Sequence, residues 1–103
     1  MNFDMNKMLK EAQRMQEELA KAQEEAASEV VEASAGGGMV TVRANGAGEV
    51  VSITIDPRAI DPDDPELLAD LVLAAVNEAL RSAQGLMESK LGGVAGGLHG
   101  LGL

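Results

Sequence analysis

MVTVRANGAGEVVSITIDP, residues 39–57, is the stretch on which the fold turns. Val40, Val42 and Ala44 alternate with Thr41, Arg43 and Asn45, the period-two pattern of a strand with one covered face. Asn45-Gly46 signals a tight hairpin, because both residue types tolerate the positive φ of such turns. Val51, Ile53 and Ile55 then form the inward face of a further strand, with Ser52 and Thr54 outside, and Asp56-Pro57 ends it. Working back from the hairpin, Gly36-Gly37-Gly38 is a flexible turn and Val30 to Ser34 a first strand. The centre of the chain therefore reads as a three-stranded antiparallel meander. A sheet this small needs a helix over one face.

Both flanks supply helices. Downstream, Asp63 or Asp64 is placed to cap a helix, Pro65 fits its first turn and Glu66 suits the positive end of its dipole. Leu68, Leu71, Val72, Ala75, Ala79, Leu80, Ala83, Leu86 and Met87 give it a broad apolar stripe. Gly85 weakens this helix, and Gly92-Gly93 is expected to stop it. That leaves a single domain over residues 1–91 and a Gly-rich flexible tail over 92–103. Upstream, residues 4 to 27 form an uninterrupted helix. Met5, Met8, Ala12, Met15, Leu19, Ala22 and Ala26 recur at spacings of 3, 4, 3, 4, 3 and 4, a heptad seam. At 1.5 Å per residue this helix is about 36 Å long, more than so small a core covers. The seam residues Met5, Met8, Ala12, Met15 and Leu19 are therefore expected to meet a second chain. The competing arrangement packs the seam inside one chain.

Composition narrows the function. One Phe and no Tyr or Trp leave a core of Ala, Val, Leu, Ile and Met, thin for a lone 103-residue chain, and oligomerisation is the usual remedy. There is no Cys, so no disulfide or thiolate metal site, which suits a reducing cytoplasm. Lys7, Lys10, Glu11 and Arg14 break up the Met-rich start, unlike a signal peptide. No run approaches the roughly 20 apolar residues of a membrane helix. The single histidine, His99, has no acid or nucleophile placed to work with it. Gly36-Gly37-Gly38 lacks the Lys-Ser/Thr pair of a phosphate loop, and a strand follows it. The acids from Asp56 to Glu66 lack the spacing of a calcium loop. The chain reads as non-catalytic, without metal, cofactor or small-molecule substrate.

The formal net charge of −9 speaks against nucleic acid until it is placed along the chain. Residues 15–29 carry Lys21 against Glu17, Glu18, Glu24, Glu25 and Glu29, and residues 56–78 carry Arg58 against seven acids. The two ends lean positive: Lys7, Lys10 and Arg14 against Asp4 and Glu11, and Arg81 and Lys90 against Glu88. With Met5 at heptad position a, Lys7, Arg14 and Lys21 fall at c and Lys10 at f, all away from the seam. Intrahelical pairs Lys7–Glu11, Arg14–Glu18 and Glu17–Lys21 compete for the same groups.

Several short motifs also stand in a telling order. Met8, Gln13, Met15 and Gln16 lie on the first helix, followed by Gly38-Met39-Val40-Thr41-Val42, Asn45-Gly46 and Ile55-Asp56-Pro57. Leu68-Ala69-Asp70-Leu71, Ala75-Val76-Asn77-Glu78-Ala79 and a Gly-rich end complete the series. In order and spacing the whole chain resembles the YbaB/EbfC family of nucleoid-associated proteins. The resemblance implies an α+β fold of order α-β-β-β-α, with a three-stranded antiparallel sheet between two long helices. It also implies a homodimer whose paired helices protrude like tweezers and bind double-stranded DNA with modest sequence preference. Such a protein would act in the cytoplasm, at the nucleoid, organising it and affecting gene expression. The family has no strict contact motif to carry over. Lys7, Lys10, Arg14, Arg81 and Lys90 are nominated as DNA contacts by location and charge. Family members often carry a proline in the tail, and this tail has none. A second reading is a protein-interaction scaffold for replication or recombination proteins, which would show partner capture without salt-dependent DNA binding.

Overall fold

The computed structural model describes residues 4–99, with side chains described through Val94. Helix α1 (Met5–Ser28) leads into strands β1 (Val30–Ala35), β2 (Val40–Asn45) and β3 (Val50–Ile55). A single 3-10 turn (Pro57–Ala59) then precedes the long helix α2 (Pro65–His99). The sheet is an antiparallel meander in the order β1-β2-β3, so the α-β-β-β-α reading holds.

The caps follow from the sequence. The Asp4 carboxylate accepts from the Lys7 N–H at 3.1 Å and starts α1. Asp64, rather than Asp63, accepts from the Leu67 N–H at 3.3 Å and starts α2 behind Pro65. Asp56 accepts from the Arg58 N–H at 2.9 Å and caps the 3-10 turn.

One face of α2 lies on the sheet. Val40, Val42 and Ala44 of β2 and Ala75, Ala79 and Ala83 of α2 are fully buried, with Val31, Ala33, Ala35, Leu68, Leu71 and Val72 around them. Alanines at this contact let the helix sit close to β2, but they bury little area. The contact runs over β1 and β2 and barely reaches β3. The alternation of β3 predicts Val51 and Ile53 as inward residues. Ile53 pairs with Val42 and shares its face, while Val51 is the extra residue of a bulge between Ser52, opposite Arg43, and Val50, opposite Ala44; Val51 and Ile53 remain 51% and 46% exposed because none of the described elements covers them.

Two further expectations are corrected. The Asn45-Gly46 turn uses no positive φ at either residue; the left-handed position is Gly48, at φ 84°. Asn45 instead folds the loop with its side chain, its Oδ1 accepting from the Ala47 and Glu49 N–H groups. Gly46 is needed for closeness: its N–H donates to the Ala26 carbonyl at 2.8 Å, joining the end of α1 to the hairpin. Second, α2 does not stop at Gly92-Gly93 but continues to His99. A glycine costs a helix about 1 kcal/mol relative to alanine. Ending the helix there takes a left-handed cap, and neither glycine adopts positive φ. Residues 100–103 of the expected tail, and the His99 side chain, lie outside the described residues.

Candidate nucleic-acid interface

Because α1 and α2 are long, the molecule is a rod, 76 × 20 × 16 Å, with a radius of gyration of 20.4 Å. A compact chain of this length would have about 13 Å. The rod is built by running α1 back along the C-terminal half of α2. Ala22 is buried beside α2 and Ala26 is buried against Gly46 of the hairpin, so the C-terminal part of the heptad seam is spent within the chain. Lys90 spans the pair, its Nζ 2.8 Å from Glu29 Oε1 and 3.9 Å from Glu25 Oε2. The Glu29 hydrogen bond, followed by its charge, raises the Lys90 pKa above the usual lysine value. Farther along, Val94 and Gly93 line a shallow hollow with Glu18, Lys21 and Ala22. At 1.5 Å per residue, the stretch from Val94 to His99 brings α2 level with about Met15. The start of α1 therefore extends beyond α2 as a lone helical tip.

Among the described residues, nothing covers the tip. Met5, Met8 and Leu9 are 62%, 53% and 58% exposed, and Leu19, nearer the root, is 40% exposed. Of the other seam residues, Ala12 is exposed and Met15 half-buried. The basic residues divide sharply. Arg14 is held between Glu11 at 2.9 Å and Glu18 at 2.8 Å, and the Glu11 hydrogen bond leads the rise in its pKa. Arg81 pairs with Glu78, Arg43 with Glu32 across β1 and β2, and Arg58 with Asp56. Among the described residues, only Lys7, Lys10 and Lys21 have no carboxylate within ion-pair distance. Lys21 lies among Glu17, Glu18, Glu24 and Glu25, whereas Lys7 and Lys10 stand at the tip.

The five nominated bases thus do not form one surface. Lys7, Lys10 and Arg14 share the outer part of α1. Lys90 sits at the root of the arm, about 30 Å from Lys7 along the helix, and Arg81 lies on the body beyond it. Sequence spacing puts Lys90 and Arg81 at a second basic end. It cannot show that the chain doubles back and sets Lys90 against α1 glutamates about 60 residues away in sequence. Among the described residues no group of three or more His, Asp or Glu side chains is arranged to hold a metal ion. No described helix is long and apolar enough to cross a membrane.

Comparison with known proteins agrees with this architecture. Residues 1–98 match the YbaB/EbfC DNA-binding family. A nucleoid-associated protein of Thermoanaerobacter pseudethanolicus is 55% identical over 97 residues, covering 94% of this chain and 87% of that protein. One from Streptomyces avermitilis is 51% identical over 100 residues, covering 97% and 88%. Among solved structures, an uncharacterized protein of Helicobacter pylori shares the fold with a TM-score of 0.73. Its sequence identity is 24%, over 85% of this chain and 92% of that one.

Proposed function

The chain belongs to the YbaB/EbfC DNA-binding family, a family of nucleoid-associated proteins rather than enzymes, and we propose that it binds double-stranded DNA as a homodimer. The contact is electrostatic, made to phosphates by the free ends of α1, and its sequence preference is modest. One observation carries the reading: Lys7 and Lys10 are unpaired cations on a helical tip that projects clear of an acidic body. Arg14 joins them when a phosphate replaces its glutamates. Two protomers place two such tips side by side, with the exposed seam of Met5, Met8, Ala12, Met15 and Leu19 as the face along which the arms approach. The nucleoid is the place of action, as in the relatives' names, and organisation of DNA with effects on expression is the outcome.

The test is a salt-titrated binding curve on random and defined duplexes. Each phosphate neutralised contributes about −0.9 to the slope of log affinity against log salt. Lys7→Ala with Lys10→Ala removes two cations per protomer, so the slope of a dimer should flatten by up to about 3.6. The loss should be equal on every sequence. Lys21→Ala should change little. Unchanged affinity and slope in the double variant would reject tip contact and favour a protein-interaction scaffold.

A further inference from the structure

The free end of α1 carries more than cations. Met5, Met8 and Leu9 stand three and four residues apart, so they share one face of the helix. All three are more than half exposed, and Ala12 continues the face into the next turn. Single exposed apolar side chains need no explanation, but a cluster of three large ones marks a contact surface. At about 100° per residue, Lys7 and Lys10 lie on the far side of the helix from this cluster, about 60° apart and one on each side of its midline. Phosphate contact by the lysines therefore leaves the apolar face without a role.

We infer that Met5, Met8 and Leu9 are the base-reading face of the tip, which lies on the floor of a major groove against the C5-methyl groups of thymine. This rests on the DNA reading above and gives that contact a source of base preference. Width selects the groove. A helix with its side chains is about 10–12 Å across, which fits a major groove about 12 Å wide and is too thick for a minor groove of about 6 Å. Depth accounts for the place of the lysines. With the apolar face on the floor of a groove about 8.5 Å deep, the phosphate rims stand near the far side of the helix. Lys7 and Lys10 project there, one toward each rim. The two acids of the tip are already engaged, Glu11 with the Arg14 guanidinium at 2.9 Å and Asp4 with the Lys7 N–H at 3.1 Å.

An apolar face makes no hydrogen bonds to base edges. Guanine, cytosine and adenine present only donors and acceptors in the major groove, whereas thymine also presents a methyl group. Methionine, unbranched and adaptable, fits such an irregular surface without one fixed register. From Met5 to Leu9 the helix advances about 6 Å, so each tip meets about two base pairs at a spacing of about 3.4 Å. The preference is for short A·T steps, and so few contacts keep it modest.

The test measures binding of the full chain to two duplexes of one A·T-rich sequence, one carrying thymidine and the other deoxyuridine, which differ by the methyl groups alone. Without the methyls the dissociation constant should rise about tenfold, the loss of one buried methyl contact at each of two tips. Replacing cytosine by 5-methylcytosine in a G·C duplex should tighten binding. Met5→Ala, Met8→Ala and Leu9→Ala together keep both lysines and suit a helix. This triple variant should bind the two members of each pair alike, with the salt slope and sedimentation coefficient of the wild type. Equal wild-type affinity for the thymidine and deoxyuridine duplexes, discrimination that survives in the triple variant, or a triple variant that falls to monomer would overturn the base-reading face while leaving phosphate contact at the tip standing. An unchanged salt slope in Lys7→Ala with Lys10→Ala would overturn tip contact itself, and the reading face with it.

Discussion

Gly46→Ala adds one methyl group where the hairpin meets α1, and its cost can be worked from the geometry. A Cβ at position 46 would lie 2.7 Å from the Ala26 carbonyl carbon and 2.9 Å from the Ala26 Cβ, hard against the Ala26 oxygen. These atoms belong to a helix end and have no rotamer to turn. Carbon atoms in contact sit about 3.5 Å apart or more, so hairpin and helix must separate by about 0.8 Å. The Gly46 N–H to Ala26 bond, now 2.8 Å, would open to about 3.6 Å and cease to be a hydrogen bond. Overpacking costs about 1–3 kcal/mol, and an unsatisfied buried N–H about 1–3 kcal/mol. The expected loss is about 2–6 kcal/mol, or on the order of 10 °C or more in Tm for a domain of this size. Gly85→Ala is the matched control. It lies in α2 with nothing within 4 Å of the added Cβ, so it should stabilise by about 0.5–1 kcal/mol. Urea unfolding of both variants checks the sign as well as the size. A neutral Gly46→Ala would refute the claim that this glycine fixes the root of the arm.

Two further outcomes follow from local contacts. The Asp56 carboxyl, held chiefly by the Arg58 side chain and then by the Arg58 N–H, has its pKa lowered from 3.8 to about 2. A carboxylate with a depressed folded pKa contributes stability that is full above its unfolded pKa and lost as pH falls through the folded one. Asp56→Asn should therefore lower Tm at neutral pH, with the gap to wild type closing between about pH 4 and pH 2. In the second case, removing residues 92–103 should preserve the folded body and its dimer. Among the described residues the fully buried core all precedes Gly92, so the change in unfolding free energy should stay within about 1 kcal/mol. Loss of the folded state on truncation would mean that the helix end past Gly92 holds the body together.

Patterns local to one element were legible; decisions made between elements were not. Alternation in residues 40–45 marks a strand with the correct face buried, and Asp4, Asp56 and Asp64 announce the elements they cap. The meander order follows because short Gly-rich links join antiparallel neighbours. By contrast, the exposure of Val51 and Ile53 depends on α2 crossing the sheet off-centre, which the strand's own alternation cannot record. The continuation of α2 past Gly92-Gly93 is similar, since a glycine pair permits a helix end without imposing one. The heptad seam is divided in a way its even spacing conceals: Ala22 and Ala26 are buried within the chain, while Met5, Met8, Ala12 and Leu19 stay exposed. The small residues at 22 and 26 were the available signal, because alanines suit close helix approach and methionines do not.

The charge of the whole chain is the wrong quantity for judging a DNA contact here. Arg14, Arg43, Arg58, Arg81 and Lys90 are each matched to carboxylates within 4 Å, so they add little field beyond their own pairs. What remains is a strongly acidic body, with Lys21 among the glutamates of α1, and two lysines at the far end of that helix. Distance then decides whether the body spoils the tip. The 22 residues from Lys7 to Glu29 span about 33 Å of helix, while the Debye length at physiological salt is about 8 Å. Glu29 is thus about four screening lengths from Lys7, whereas Glu17 lies about 15 Å from Lys7 and about 10 Å from Lys10, so the repulsion of the acidic stretch is weakened at the tip and strongest at the root. The same acidity opposes a duplex lying along the body or the root of the arm. A long helix whose end carries two lysines clear of the acidic stretch therefore allows a protein of net negative charge to meet DNA in one orientation, tip first.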